Sequence, residues 1–137
     1  MRRRVRGASP RVDPDRREQR RVVAAFLAAA RAGDFDALVE ILDPDVVFRV
    51  DTGPRGDRTP VTGAGDVART VLARGSQFAR HARPAIVNGG AGLMIVPGTK
   101  AIAVVGLAVA GGRIVEIDVI ADPAKLARGG GAASEST

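Results

Sequence analysis

Apolar residues recur at helical spacing near the start of the chain. The pattern predicts a first helix that begins around Asp13–Asp15 and ends at Gly33, where glycine can adopt the left-handed conformation. Glu18 stands three residues after Asp15, which is the arrangement of a capping box. One helix face carries the i, i+3, i+4, i+7 spacing of a buried stripe, formed by Val22, Ala25, Phe26 and Ala29.

Two more helices and a strand follow. Asp34 is placed to cap a short second helix whose apolar face holds Phe35, Leu38, Val39 and Leu42. Asp43–Asp45 stops this helix, because a residue before proline is disfavoured in the helical conformation. Residues 46–51 then predict a strand with Val46, Phe48 and Val50 on one face. After a polar loop, a third helix is expected from Thr62 to about Phe78.

The second half of the chain is a series of strands. Turn signals at Asn88-Gly89 and Gly111-Gly112 separate strands predicted at Ala82–Val87, Gly92–Val96, Ala101–Ala110 and Arg113–Ala121. The third of these is nearly all apolar, which indicates burial on both faces. In the last strand Val115, Ile117 and Val119 share one face, and Ile114, Glu116, Asp118 and Ile120 share the other.

This order of elements predicts an α+β fold. Three N-terminal helices would pack on a strongly curved, mainly antiparallel sheet. Such a sheet curls around its helices and can enclose an apolar pocket between them. Asp122 begins a short helical turn that reaches Leu126, and residues 129–137 are predicted to form a disordered tail.

The net positive charge of the chain comes from its first 21 residues. Residues 1–21 hold nine arginines and three acidic residues, which accounts for the net charge of +6, and the remainder is neutral. Only this arm could attract a polyanion such as DNA, and a solvated leader without a partner is an equal alternative.

The composition excludes several classes of chemistry. The chain contains no cysteine and one histidine, so we expect no metal site, and no glycine cluster forms a phosphate-binding loop. Tyrosine and tryptophan are absent, which disfavours a base-stacking surface. No cofactor is implied. The apolar segments are too short to span a membrane, and a reduced cytoplasmic setting is expected.

Two segments resemble a known family. AGDFDALVEILDPDVVF, residues 32–48, and GGRIVEIDVIADPAKLA, residues 111–127, are similar to the opening and the last strand of SnoaL-like domains. These belong to the superfamily named after nuclear transport factor two. The resemblance covers residues 15–128 and implies a cystatin-like cone.

Within this group the chain is more similar to one branch, the SnoaL-like C-terminal domains of extracytoplasmic-function sigma factors. Residues 1–14 resemble the end of sigma region four and its linker. Asp122-Pro123-Ala124-Lys125-Leu126 matches an NPDKL-like motif of that branch. A DGGGK-like loop is degraded here to Asp51-Thr52-Gly53-Pro54-Arg55.

The resemblance implies a regulatory module and indicates which residues would contact its partners. Partner contacts with sigma-factor core regions and RNA polymerase are expected at Asp51, Thr52, Gly53, Asp122, Pro123, Lys125 and Leu126. A pocket for a small apolar ligand is expected at Phe48, Val50, Phe78 and Asp118. Pairing into a homodimer through the sheet is also implied. The promoter-binding regions do not precede Met1, so the chain is expected to be a fragment or an orphaned domain.

The alternative function is a stand-alone isomerase or cyclase acting on a steroid-like or polyketide-like ketone. Asp118 and His81 would then carry the acid–base chemistry. The neighbouring strand AIAVVGLAVA, residues 101–110, offers no polar side chain to stabilise an oxyanion. The structural alternatives are that Asp118 is bonded to a backbone amide or paired with an arginine, and that His81 lies at the surface or the rim of the cone.

Overall fold

The computed structural model describes residues 16–53, 59–87, 89–123, 126 and 134–135. Its helices are α1 (Arg16–Ala32), α2 (Phe35–Ile41), α3 (Ala64–Thr70) and α4 (Ser76–Ala79), with a π-helical segment at Val71–Gly75 between the last two. Its strands are β1 (Leu42–Asp51), β2 (Val61–Thr62), β3 (Ala82–Val87), β4 (Gly90–Ile95), β5 (Ala103–Ala110), β6 (Arg113–Ile120) and β7 (Ser134–Glu135). The predicted arm, residues 1–14, lies outside the described residues.

One curved, open sheet carries the helices. Among the described residues its strand order is β2-β1-β6-β5-β4-β3-β7. β1 and β6 are parallel, and the other pairings are antiparallel. α1 packs on α2 and on β4, and α3 packs on β1, so the main core lies between the helices and one sheet face. The predicted α+β class and mainly antiparallel sheet are confirmed.

The buried face of α1 is wider than the predicted stripe. Val22, Phe26 and Ala29 are buried as expected, whereas Ala25 is exposed. Val23, Leu27 and Ala30 are buried instead, because α1 contacts both a helix and the sheet. Gly33 ends the helix at a positive φ of 69°, as its sequence position predicts.

The predicted third helix is interrupted. Val61–Thr62 pairs with β1 as a strand, and the helix itself begins at Ala64. The π-helical segment then inserts an extra residue into the turn, which rotates all later positions about the helix axis. Val67 and Val71, which come before this rotation takes effect, are buried as predicted. Beyond the segment Ala79 is buried and Phe78 is 38% exposed.

Two irregular pairings shift the strand faces. β1 begins at Leu42, so Asp43–Asp45 lies within the strand rather than before it, beside a shift in register against β6. On β6, Ile114 and Glu116 oppose consecutive residues of β5, and Val115 is the extra residue of a β-bulge. The bulge turns Ile114 into the core with Ile117, which corrects the predicted grouping of Ile114 with Asp118.

The outer face of the sheet carries a second, smaller apolar cluster. It is formed by Ala85, Val87 and Val104, with Met94 and Leu126 packed against them. Val104 and its neighbour Val105 are both buried, on opposite faces of β5, which agrees with the apolar pattern of this strand.

Of the tail predicted to be disordered, the structure describes only Ser134 and Glu135. These two residues pair with Ile86 and Ala85 and extend the sheet beyond β3. The prediction differs from the structure at this point because the edge of β3 offers unpaired backbone groups that even a short segment can satisfy. The rest of residues 129–137 lies outside the described residues.

Candidate functional site

A cavity of about 310 Å³ lies between the helices and the inner face of the sheet. β1 contributes Phe48 and Val50 to its wall, β6 contributes Ile117 and Val119, and α4 contributes Phe78. The other lining residues come from the helices, the strands and the segments that adjoin them: Phe26, Leu27, Ala30, Thr52, Thr70, Val71, Arg74, Gly75, Ala79, Ala82, Leu93, Ile95, Ile102, Ala103, Val105 and Ala121. The cavity is therefore almost wholly apolar.

The opening of the cavity is marked by two exposed apolar side chains. Phe78 is 38% and Ile102 is 43% exposed, and both also line the cavity. Phe78 lies here because the π-helical segment turns it away from the core. Phe78 is an expected pocket residue, but its exposure is not predicted by the sequence.

Three polar side chains are found among the described residues of the lining: Thr52, Thr70 and Arg74. The hydroxyl of Thr70 donates to the backbone carbonyl of Asp66 at 2.9 Å. Arg74 forms no ion pair with any described residue. A cleft of about 310 Å³ adjoins the cavity and shares Phe48, Val50, Thr70 and Arg74 with it. Arg74 thus stands where the two spaces meet.

Arg31 at the end of α1 supports one wall of the cavity. Its Nε donates to the carbonyl of Ala79 at 3.0 Å, and its Nη2 donates to the carbonyl of Ala82 at 2.9 Å. Both carbonyls belong to the corner between α4 and β3, and both residues line the cavity. Sequence reasoning missed this role, because the partners are about fifty positions away along the chain.

Asp118 does not line the cavity, contrary to expectation. It lies on the outer face of β6, where its Oδ1 accepts a hydrogen bond from Nη1 of Arg49 at 3.3 Å. Glu116 also lies near this guanidinium, at 3.7 Å. All three side chains are about half exposed. Parallel pairing of β1 with β6 sets Arg49 directly beside Asp118, which produces the ion pair. The structural alternative for Asp118 is the one observed.

His81 also lies away from the cavity lining. It stands between α4 and β3, and its Nε2 accepts a hydrogen bond from Nε of Arg80 at 3.3 Å. Its backbone joins the end of the helix to the sheet, through its N–H to Phe78 and its carbonyl to Val96. The two residues proposed for acid–base chemistry are thus not brought together around the cavity.

The two motifs predicted to contact partners do come together. β1 and β6 run parallel and end side by side, and the N–H of Ala121 donates to the carbonyl of Asp51 at 2.8 Å. The carboxylate of Asp51 accepts the N–H of Gly53 at 3.0 Å. Asp122 is 8% exposed, and its carboxylate lies against Gly53. We call Asp51–Gly53 with Ala121–Pro123 the motif junction.

Leu126, at the end of the second motif, has a packing role. Its N–H donates to the carbonyl of Asp122 at 3.0 Å, and its side chain packs on the outer apolar cluster of the sheet. Pro123 lies in the first turn of this segment. Lys125 lies outside the described residues, as do residues 54 and 55 of the other motif.

The described part of the chain contains neither a cluster of metal-binding side chains nor a membrane-spanning helix. No group of three or more histidine, aspartate or glutamate side chains there could hold a metal ion. Within the same residues, no helix is both long and apolar enough to cross a membrane.

Comparisons with solved structures identify the fold. The chain is similar to the extracytoplasmic function sigma factor SigJ of Mycobacterium tuberculosis, with 28% identity and a TM-score of 0.64, over 77% of this chain and 42% of SigJ. It therefore spans less than half the length of that protein. An NTF2-like protein of unknown function from Burkholderia xenovorans matches at 19% identity and a TM-score of 0.55, over 77% of this chain and 84% of that one.

A putative ketosteroid isomerase from Kribbella flavida matches at 16% identity and a TM-score of 0.51, over 77% of this chain and 78% of that one. No family model matches the chain, and no curated protein matches it. The fold is that of NTF2-like cone domains. The matching structures include both a sigma factor and proteins described as putative isomerases.

Proposed function

We propose that this domain is the regulatory part of a sigma-factor-type transcription regulator and that its cavity binds a small apolar molecule. The observation that carries the proposal is the cavity itself. Its described lining is apolar apart from two threonines and an arginine, and contains no carboxylate, imidazole or phenol. Such a lining suits binding, whereas proton transfer at a carbonyl substrate requires a positioned acid or base.

The motif junction supports a regulatory role. Thr52 and Ala121 both line the cavity, and each directly precedes a residue of the Gly53–Asp122 contact. A ligand that touches Thr52 or Ala121 can therefore favour one arrangement of the junction over another. A binding event changes a conformational equilibrium only through such differential contacts. The proposed partners, sigma-factor core regions and RNA polymerase, are those that the resemblance to sigma-factor C-terminal domains implies.

The first experiment measures binding of the domain to sigma-factor core regions and to RNA polymerase core enzyme from the source organism. The variant is Lys125→Glu, in the motif that follows β6. Arg113→Glu is the matched control, because it makes the same charge change at an exposed position at the opposite end of β6. We expect Lys125→Glu to weaken association at least fivefold and Arg113→Glu to leave it unchanged.

Equal affinities for the wild type and both variants would contradict the role of the second motif in partner contact.

The cavity is tested separately by methyl NMR spectra recorded with a panel of small apolar compounds. Ile102 and Ile117 report on the cavity, and Ile120 on the outer face is the internal reference. Pairing of two copies through the sheet stays a prediction, and light scattering measures it.

A further inference from the structure

Among the described residues, the charged side chain that lines the cavity and the cleft is a cation. The described residues that line the cavity and the adjoining cleft include Arg74 and no aspartate or glutamate. Asp66 is the one acidic residue in residues 64–79, and it is paired with Arg69. The guanidinium of Arg74 is therefore not neutralised by its own helix. A cation without a partner at the edge of an apolar space attracts an anionic group.

We infer that the ligand of this cavity is a small carboxylic acid with an apolar hydrocarbon body. The body would lie in the cavity, and the carboxylate would bind Arg74. The inference deepens the proposed function and rests on it. Arg74 lines both the cavity and the cleft, so a head group at this position stays near solvent while the apolar body is buried. This division matches the physical preference of an amphipathic molecule, because only the uncharged part is desolvated.

The threonines around Arg74 divide into two kinds. The hydroxyl proton of Thr70 is directed to the carbonyl of Asp66, so Thr70 offers only lone pairs to a ligand and cannot donate to a carboxylate. Thr52 on the cavity side and Thr59 on the cleft side are the remaining hydroxyl donors of the described lining. Arg74 is thus the principal group that can select a carboxylate over an alcohol of the same length.

The volume limits the size of the ligand. About 310 Å³ lies at the lower end of the range for small-molecule pockets, which is roughly 300–1,000 Å³. A medium-chain acid suits this space better than a long-chain lipid. Decanoate and decanol form a matched pair of probes, because they have the same carbon chain and differ at the head group.

The test compares the binding of decanoate and of decanol to the full chain, below their aggregation limits, by calorimetry and by methyl NMR. We expect decanoate to bind about tenfold more tightly than decanol, since a charge-assisted hydrogen bond is worth about one such factor. Both probes should shift the signals of Ile102 and Ile117 and leave that of Ile120 unchanged. Added salt should reduce the preference for decanoate.

Variants assign the preference to one residue. Arg74→Gln should abolish the difference between the two probes while decanol binding is retained, and Arg74→Lys should keep most of it. Arg113→Gln, at an exposed position that lines neither the cavity nor the cleft, is the control and should keep the full preference. Equal binding of both probes to the wild type, unaffected by Arg74→Gln, would overturn the inference and leave the apolar cavity of the proposed function standing. If neither decanoate nor decanol shifts the signals of Ile102 and Ile117, ligand binding in the cavity is contradicted, and the inference with it.

Discussion

The carboxylate of Asp122 packs against Gly53, and a Cβ atom at that glycine would lie in van der Waals contact with it, 3.4 Å from Cγ of Asp122. Gly53 also has a positive φ of 115°, which side chains other than glycine rarely adopt. The contact joins two segments that are about seventy positions apart in the sequence. It lies where the paired ends of β1 and β6 meet beside the cavity.

The first prediction concerns this contact. Gly53→Ala should lower the free energy of unfolding by about 1–3 kcal/mol, because the backbone must keep a strained conformation or give up the junction. Urea unfolding measures the change. Gly98→Ala is the control, since Gly98 has open space around it and no positive φ. Equal stability of the two variants would show that the junction tolerates a side chain at residue 53.

The second prediction concerns Gly92 in β4, which pairs with Gly106 in β5. A Cβ at Gly92 would collide with the carbonyl oxygen of Val105 and lie 2.5 Å from Cγ2 of Val87. Gly92→Ala should therefore separate the two strands and lower the free energy of unfolding by more than about 2 kcal/mol.

The neighbouring Gly90→Ala is the control for Gly92→Ala, because its Cβ would lie at an ordinary 3.7 Å from the carbonyl oxygen of Val87. Adding Val87→Ala to Gly92→Ala should restore little stability, since the collision with the backbone of β5 remains. Full recovery in the double variant would mean that the side chain of Val87, and not the pairing of β4 with β5, requires the glycine.

The third prediction concerns Asp118. Its ion pair with Arg49 is about half exposed, so Asp118→Asn should change the free energy of unfolding by less than about 1 kcal/mol. Because Asp118 does not line the cavity, ligand affinity should also be unchanged. Calorimetry and urea unfolding measure the two effects. Turnover of a steroid ketone by the wild type that is lost in Asp118→Asn would instead establish the isomerase alternative.

The fourth prediction concerns Arg31, whose guanidinium binds the carbonyls of Ala79 and Ala82. Arg31→Lys keeps the charge, but an ammonium on a flexible stem does not reproduce the planar fork of donors. We expect a loss of about 1–3 kcal/mol in the free energy of unfolding and weaker binding of cavity ligands. Arg113→Lys, at an exposed hairpin position, should have no effect on either quantity. Unchanged ligand affinity in Arg31→Lys would show that the corner does not shape the cavity.

Much of the local structure could be predicted from the sequence. The end of α1 at Gly33 follows from the left-handed conformation that glycine accepts, and the limits of β3 coincide with the predicted Ala82–Val87. The period-two alternation also separated Asp118 from Ile117 and Val119 correctly. The resemblance to enzymes of the same fold placed Asp118 in the pocket, and the alternation was the better guide, because neighbouring residues of a regular strand point to opposite faces.

The chain's pattern of apolar and polar residues by itself determined the order of the longer helices and strands, the α+β class and the apolar character of the cavity. These depend on spacing along a few consecutive residues, where the geometry of a helix or a strand is set locally. Tertiary structure alone decided that the π-helical segment turns Phe78 to the cavity opening and that the bulge at Val115 turns Ile114 into the core. It also decided that Gly53 meets Asp122 and that Arg31 reaches Ala79. Each of these depends on how distant segments pack or pair, and that register is settled by the whole core at once rather than by local spacing.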